Sequence, residues 1–304
     1  MTTWPAGLVT ALVTPLRDDE PDLSVLSALI DHQISCGIAG FIVGGGTGEY
    51  GVLTVDERQR LAVAAVEAAG GRVPVIIQTG ALSTRDAVAL SRHAQDAGAD
   101  AVMVASPFGE AINWRERFGF YETLTAEVTL PVMVYNTPPS GLLTFTQIQE
   151  LATLPNISAV KDSSCDAMLM GDLVEWADGS EFGVYIGLDS LLYEAVRIGA
   201  TGAVFGTANL IPGPLAAVVA SVRTDGPTRQ NAALWRQIRI FLRYVEQSPN
   251  YVALVKAGLA LQGFDVGPVR APYLMPDEAE VKGFQDRLEV LEKAFAESPL
   301  SDVR

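Results

Sequence analysis

A chain of 304 residues, 49% of them apolar, can bury a large core and is long enough for two domains or for one α/β barrel. Its net charge of -15 argues against nucleic acid and anionic membrane as partners, since both are polyanions, but leaves room for a small pocket that holds a carboxylate. Two cysteines, Cys36 and Cys165, are too few for a disulfide framework. The segment Met1-Thr2-Thr3-Trp4-Pro5 lacks the basic and apolar regions of a signal peptide, and no apolar stretch approaches the ~18 residues of a membrane helix. The expected compartment is the cytoplasm.

In chain order, short apolar, β-branched runs recur at residues 8–13, 39–43, 73–78, 101–104, 131–135, 157–161, 182–186 and 202–205. Continuous apolar runs rather than alternation imply strands covered on both faces, and helical segments between them make the sheet parallel. Thr54 and Glu57 form a capping box opening a helix that Gly70-Gly71 closes, Ser83 or Thr84 caps the next, and Thr144 with Gln147 repeats the box. Eight such units predict an α/β fold of the TIM type, a (β/α)8 barrel over residues 1–223. After the turn Thr224-Asp225-Gly226-Pro227, residues 232–246, 251–261 and 277–297 read as helices, giving a C-terminal helical region over 224–304. The stiff connector Gly267-Pro268-Val269-Arg270-Ala271-Pro272 interrupts it.

In a barrel of this kind, the strands' C-terminal ends carry the chemistry. Lys161 ends the sixth run and is the only lysine before Lys256. An amine among apolar neighbours loses hydration and keeps more of its neutral, nucleophilic form, whereas a lysine at a strand end can instead snorkel to water. The second run enters Gly44-Gly45-Gly46-Thr47-Gly48-Glu49, whose backbone amides and Thr47 hydroxyl can hold a carboxylate, though such a turn can also be merely tight. Tyr135 ends the fifth run and is either a proton carrier beside Lys161 or a packed aromatic. His32 and His93 both fall in predicted helices, which disfavours a Ser-His-Asp triad and a His-rich metal site. Cys165 reads as a small buried residue and Glu49 as a structural carboxylate beneath the turn.

Taken together, Gly45-Gly46-Thr47-Gly48-Glu49, Tyr135-Asn136-x-Pro138 and Lys161-Asp162-Ser163-Ser164 resemble the dihydrodipicolinate synthase and N-acetylneuraminate lyase superfamily of Schiff-base lyases. The resemblance extends to Gly187-Leu188-Asp189, to Gly199–Gly202 with Thr207-Ala208-Asn209, and to the C-terminal helices. It implies that Lys161 forms an imine with pyruvate or another 2-oxo acid, that Thr47 binds the carboxylate and that Tyr135 shuttles the proton. Gly46, Ser163, Gly187 and Asp189 would complete the substrate site. It further implies no metal or organic cofactor and a homo-oligomer, a tetramer or dimer.

The chain departs from the synthase pattern in three places. Gly46 stands where a second hydroxyl is usual, Ser106-Pro107-Phe108-Gly109 replaces a Pro-Tyr-Tyr segment that supplies a relay tyrosine to the neighbouring subunit, and Pro139-Ser140-Gly141 lacks an arginine for the aldehyde's carboxylate. The leading expectation is therefore an aldolase or lyase with pyruvate as donor or product and a keto-deoxy sugar acid or similar compound as substrate. A dihydrodipicolinate synthase, a 2-oxo sugar-acid dehydratase and a non-catalytic 2-oxo acid binder are the alternatives.

Overall fold

All eight expected strands form in the computed structural model, which describes residues 4–109 and 111–300. Met1 to Thr3 and residues 301–304, at the two ends of the expected barrel and helical regions, lie outside the described residues. The barrel strands are β1 (Gly7–Ala11), β4 (Gly40–Val43), β5 (Val75–Gln78), β6 (Ala101–Ala105), β7 (Val132–Asn136), β8 (Ile157–Asp162), β9 (Gly183–Ile186) and β10 (Gly202–Phe205). Between β1 and β4 lies a short antiparallel hairpin, β2 (Leu16–Arg17) and β3 (Glu20–Pro21), too brief to show as an apolar run. Each barrel strand pairs in parallel with its sequence neighbour, and β10 closes onto β1, with Gly7 opposite Gly202 and Thr10 opposite Phe205. The (β/α)8 barrel is thus closed.

Side chains alternate across each strand, so one set fills the barrel and the other meets the helices. Val9, Ile42, Ile76, Met103, Met133 and Val204 belong to the inner set. Trp4 and Tyr185 pack edge to face at 6.4 Å in the same inner cluster, with Trp4 Nε1 donating to Ser158 Oγ and Tyr185 Oη to the Pro5 carbonyl. The β1–β10 closure is braced by Asn209, whose Nδ2 donates to the carbonyls of Ala11 (2.8 Å) and Gly206 (2.7 Å).

The helices are α1 (Leu23–Ser35), α2 (Val55–Ala69), α3 (Thr84–Asp96), α4 (Trp114–Glu127), α5 (Phe145–Leu151), α6 (Ala167–Ala177), α7 (Leu192–Ile198), α8 (Pro212–Asp225), α9 (Arg229–Glu246), α10 (Tyr251–Leu261) and α11 (Glu278–Ala296). Thr54 with Glu57 and Thr144 with Gln147 form their capping boxes, Ser83 caps α3, and Gly70 ends α2 in the left-handed conformation. Helix α9 begins three residues before the expected Ala232, because Thr228 and Asn231 form a box in which asparagine takes the glutamate's place. The division expected after residue 223 falls in the last turn of α8.

Helix α11 packs along α9, joined by a tilted contact of the Phe241 and Phe284 rings at 5.3 Å and by Tyr244 Oη donating to the Glu280 carbonyl. The connector is tied to the barrel by Arg270. Its guanidinium makes a two-pronged pair with Glu57 (2.9 and 2.7 Å) and a further bond from Nε to Asp19. The Arg270 hydrogen bonds, opposed by burial, hold Glu57 down at about 2.

Candidate active site

Period-two alternation places Lys161 on the same face as Ala159, and Tyr135 on the same face as Met133, so both point into the barrel at its C-terminal rim. They are direct partners in the β7–β8 ladder, and Lys161 Nζ lies 4.3 Å from the centre of the Tyr135 ring. Lys161 is only 6% exposed. Both strands run one residue beyond the ends expected from the apolar runs. The added pair, Asn136 and Asp162, is itself bonded, Nδ2 donating to Oδ1 at 2.7 Å. Leu143 N donates to Asn136 Oδ1 and Ser164 Oγ to Asp162 Oδ2 (both 2.8 Å), so a buried polar brace fixes both strand ends. Burial pushes the Asp162 carboxyl up, against the hydrogen bonds from Ser164 and Asn136.

Burial would raise the Tyr135 phenol, but the Lys161 charge, followed by the hydroxyls of Thr137 and Ser163, brings it below its ordinary value. A phenol lowered in this way beside an amine is suited to accept and return a proton. Ser163 Oγ is buried and makes no well-formed hydrogen bond among the described residues, leaving it available to a bound group. Gly187 closes the other side. A Cβ there would lie 2.8 Å from Lys161 Cε and would overlap Ser163 Oγ, so the lysine's working space exists only because position 187 has no side chain.

The glycine-rich turn follows β4, four strands from β8 around the barrel, and so faces the lysine across the mouth. It is set by Gly44 and Glu49 in the left-handed region (φ 64° and 61°) and by Thr14 Oγ1 donating to the Gly48 carbonyl at 2.7 Å. Gly48 is closely packed, since a Cβ would press on the Gly44 backbone and the Leu12 carbonyl at 3.0–3.1 Å, so a side chain there would require the turn to shift. Gly46 is exposed and Thr47 half-buried. Glu49 is structural, as expected: its Oε1 meets Lys256 Nζ at 2.5 Å and its Oε2 accepts from Arg270 N at 2.9 Å.

Asp189 does not join the Lys161 cluster directly. Its Oδ2 accepts from the Thr207 hydroxyl and from Tyr251 Oη (2.9 Å), and Tyr251 in turn packs with Thr47 against Gly206. Asp189 therefore acts as a buried anchor between the ends of β9 and β10 and helix α10. Burial is the main cause that pushes its carboxyl up to about 7, helped by Glu246 and opposed by the bonds from Thr207 and Tyr251. A folded-state value above the unfolded one means the native state binds the extra proton, so this group's stabilisation is complete below about pH 4 and is lost as pH rises towards 7. We expect urea unfolding across this window to show the wild type losing up to about 1.4 kcal/mol per pH unit relative to Asp189→Asn. A pH-independent difference between the two would refute it.

Sequence reasoning missed Tyr50, Tyr251 and the Asn136–Asp162 brace. Tyr50 packs edge-on against Phe108 at 5.9 Å, and burial with Tyr135 close by pushes its phenol up to about 12. Its one signal was an aromatic immediately after the turn. Cys165 is exposed rather than buried, because it sits in a left-handed bend (φ 65°) that turns the chain outward after β8. Ser140, in the segment where the resemblance led to the expectation of an arginine, has its Oγ buried without a hydrogen-bond partner among the described residues, and Arg117 from α4 donates to the neighbouring Gly141 carbonyl at 3.0 Å. A cavity of about 700 Å3, lined by α6 residues such as Met168 and Asp172, includes neither Lys161 nor Tyr135 in its lining. Among the described residues, no cluster of three or more His, Cys, Asp or Glu is arranged to hold a metal, and no helix is long and apolar enough to cross a membrane.

A buried amine and a phenol held in register on the rim of a closed (β/α)8 barrel, across from a glycine-rich turn, define a barrel of the lyase class. The chain belongs to the dihydrodipicolinate synthetase family, whose model matches residues 4–291. It is 36% identical over 276 residues to 4-hydroxy-tetrahydrodipicolinate synthase 1 of Halalkalibacterium halodurans, covering 90% of this chain and 92% of that protein. It is 34% identical over 270 residues to an uncharacterized DapA-like lyase of Halobacterium salinarum, covering 88% and 87%. Among solved structures it is similar to YagE from E. coli K12 in complex with pyruvate, described as a prophage protein of the dihydrodipicolinic acid synthase family. That similarity has a TM-score of 0.89 and 28% identity, covering 94% of this chain and 98% of that one.

Proposed function

We propose that this protein is a Schiff-base lyase that cleaves, or in reverse forms, a 2-oxo acid with pyruvate as the common fragment. The observation that carries the reading is Lys161, buried in the barrel and in register with Tyr135. The neutral amine adds to C2 of the 2-oxo acid, and loss of water leaves a protonated imine. Tyr135, as phenolate, takes the proton of the C4 hydroxyl. The C3–C4 bond then breaks, its electrons pass into the imine to give an enamine, and the C4 fragment leaves as an aldehyde. Tyr135 returns the proton to C3, and water hydrolyses the resulting pyruvate imine. The imine is the electron sink, so the sequence of steps uses no metal or organic cofactor.

In this reading Thr47, with the backbone beside Gly46, takes the C1 carboxylate, and Ser163 bonds the carboxylate or the imine water. Gly187 leaves room for C3, while Asp189 positions Tyr251 and Thr207 rather than touching substrate. Incubation with pyruvate and borohydride, followed by intact mass and peptide mapping, should show a stable adduct on Lys161. The absence of an adduct with every 2-oxo acid tried would rule the mechanism out.

A second reading, dihydrodipicolinate synthase proper, is favoured by the names of the relatives. It requires recognition of an aldehyde that carries its own carboxylate, and Ser140 offers no guanidinium for that task. Condensation of pyruvate with aspartate semialdehyde, at a rate above that with uncharged aldehydes, would establish it.

A further inference from the structure

Beside Gly46 lies a cavity of about 510 Å3, walled by Tyr251 and Val252 of α10 and by the loop Pro272-Tyr273-Leu274-Met275-Pro276. Nothing lies within 4 Å of the position a Gly46 side chain would take, so the turn leaves this edge of the cavity open. The carboxylates and amide on the wall are already committed to the fold. Glu49 is held by Lys256 and Arg270 N, and Glu280 accepts from Ser248 Oγ and Asp277 N. Asn250 accepts from Ala253 N and donates to the Leu274 carbonyl, and Tyr251 Oη donates to Asp189. The two cations beneath are equally committed, Lys256 being 0% exposed and Arg270 gripped by Glu57 and Asp19.

Apart from the Tyr273 hydroxyl, the side chains left to meet a ligand are apolar. Leu274 is 78% exposed, Tyr273 46% and Met275 41%, and Tyr273 lies close enough to Tyr50 for their phenols to influence each other. A polyol chain or second carboxylate would lose its hydration here and find the Tyr273 hydroxyl as the one uncommitted side-chain donor on this wall, whereas an aryl or alkyl group would bury surface at no such cost. The cavity lies on the β4 and α10 side of the mouth. Gly46, which lines it, adjoins Thr47, and this sets the cavity beside the proposed carboxylate position.

We propose that this cavity receives the apolar distal part, aryl or long alkyl, of the 2-oxo acid held by Lys161. The inference rests on the Schiff-base reading and narrows its substrate class from sugar acids to apolar-tailed 2-oxo acids. It is tested by borohydride trapping under competition between pyruvate, 2-oxo-4-phenylbutanoate and a 2-oxo-3-deoxyhexonate, in wild type and in Leu274→Asp. Leu274 is exposed, and the pyruvate adduct of the variant reports that the barrel is folded.

The expected result is that wild type traps the phenyl compound over pyruvate by about tenfold or more, and that Leu274→Asp lowers this ratio by a similar factor. Equal trapping of the phenyl compound and pyruvate, or preference for the hydroxylated chain, overturns the inference while leaving the mechanism intact. No adduct on Lys161 with any of the three overturns both. Light scattering on the same samples gives one further outcome: if Leu274→Asp halves the particle mass without changing the ratio, a second copy of the chain covers this face and the inference falls.

Discussion

Lys161→Ala is expected to abolish adduct formation and to lower turnover by at least about 10⁴-fold, the scale on which loss of a covalent nucleophile acts. No other amine can take its place. The next lysine in the chain, Lys256, is fully buried, with its Nζ held by Glu49 and by the Pro268 carbonyl at 2.8 Å. The variant should fold, since removing Lys161 leaves the Asn136–Asp162 brace and the β7–β8 ladder in place. Tyr135→Phe separates the two roles at the site. It keeps the ring beside Lys161 but removes the proton carrier, so pyruvate should still be trapped while the C–C step slows about 10²- to 10⁴-fold. Titration calorimetry with pyruvate completes the test. A binding module would retain measurable affinity in Lys161→Ala and would show no turnover in the wild type, whereas an enzyme loses its activity with the lysine.

The barrel was legible because parallel strands covered on both faces must be written as uninterrupted apolar runs, and helices between them carry their caps locally. Lys161 and Tyr135 were legible for a related reason: each terminates such a run, and consecutive strands of a barrel are neighbours. The strand ends were misplaced by one residue because Asn136 and Asp162 look like loop residues and become strand only by bonding each other. Contacts that join distant segments left no local trace. Tyr251 reaches Asp189 across 62 positions and Arg270 reaches Glu57 across 213, and nothing in the composition around either residue announces its partner. Asp189 was expected in the substrate site only through the family resemblance, and its Oδ2 accepts from Thr207 and Tyr251, partners that no local pattern marks.

The largest effect on stability is expected at the pair beneath the glycine-rich turn. Glu49 and Lys256 are 1% and 0% exposed at the side chain and 2.5 Å apart. Burial pushes the Lys256 ammonium down and the Glu49 charge pulls it back, so the cation depends on its partner. Lys256→Met leaves a carboxylate buried without a counter-charge and should cost about 3–5 kcal/mol in urea unfolding. Glu49→Gln strands the ammonium and should cost a comparable amount. The double variant should lose clearly less than the sum of the singles, because it removes both charges while glutamine can still accept from Arg270 N. Strict additivity would show that the pair is not coupled. The consequence reaches the chemistry, because Glu49 closes the turn in a left-handed conformation that a glutamate adopts only under restraint. Thr47 lies two residues away, so loss of the ion pair should raise KM for the 2-oxo acid in the single variants at temperatures well below their unfolding midpoints.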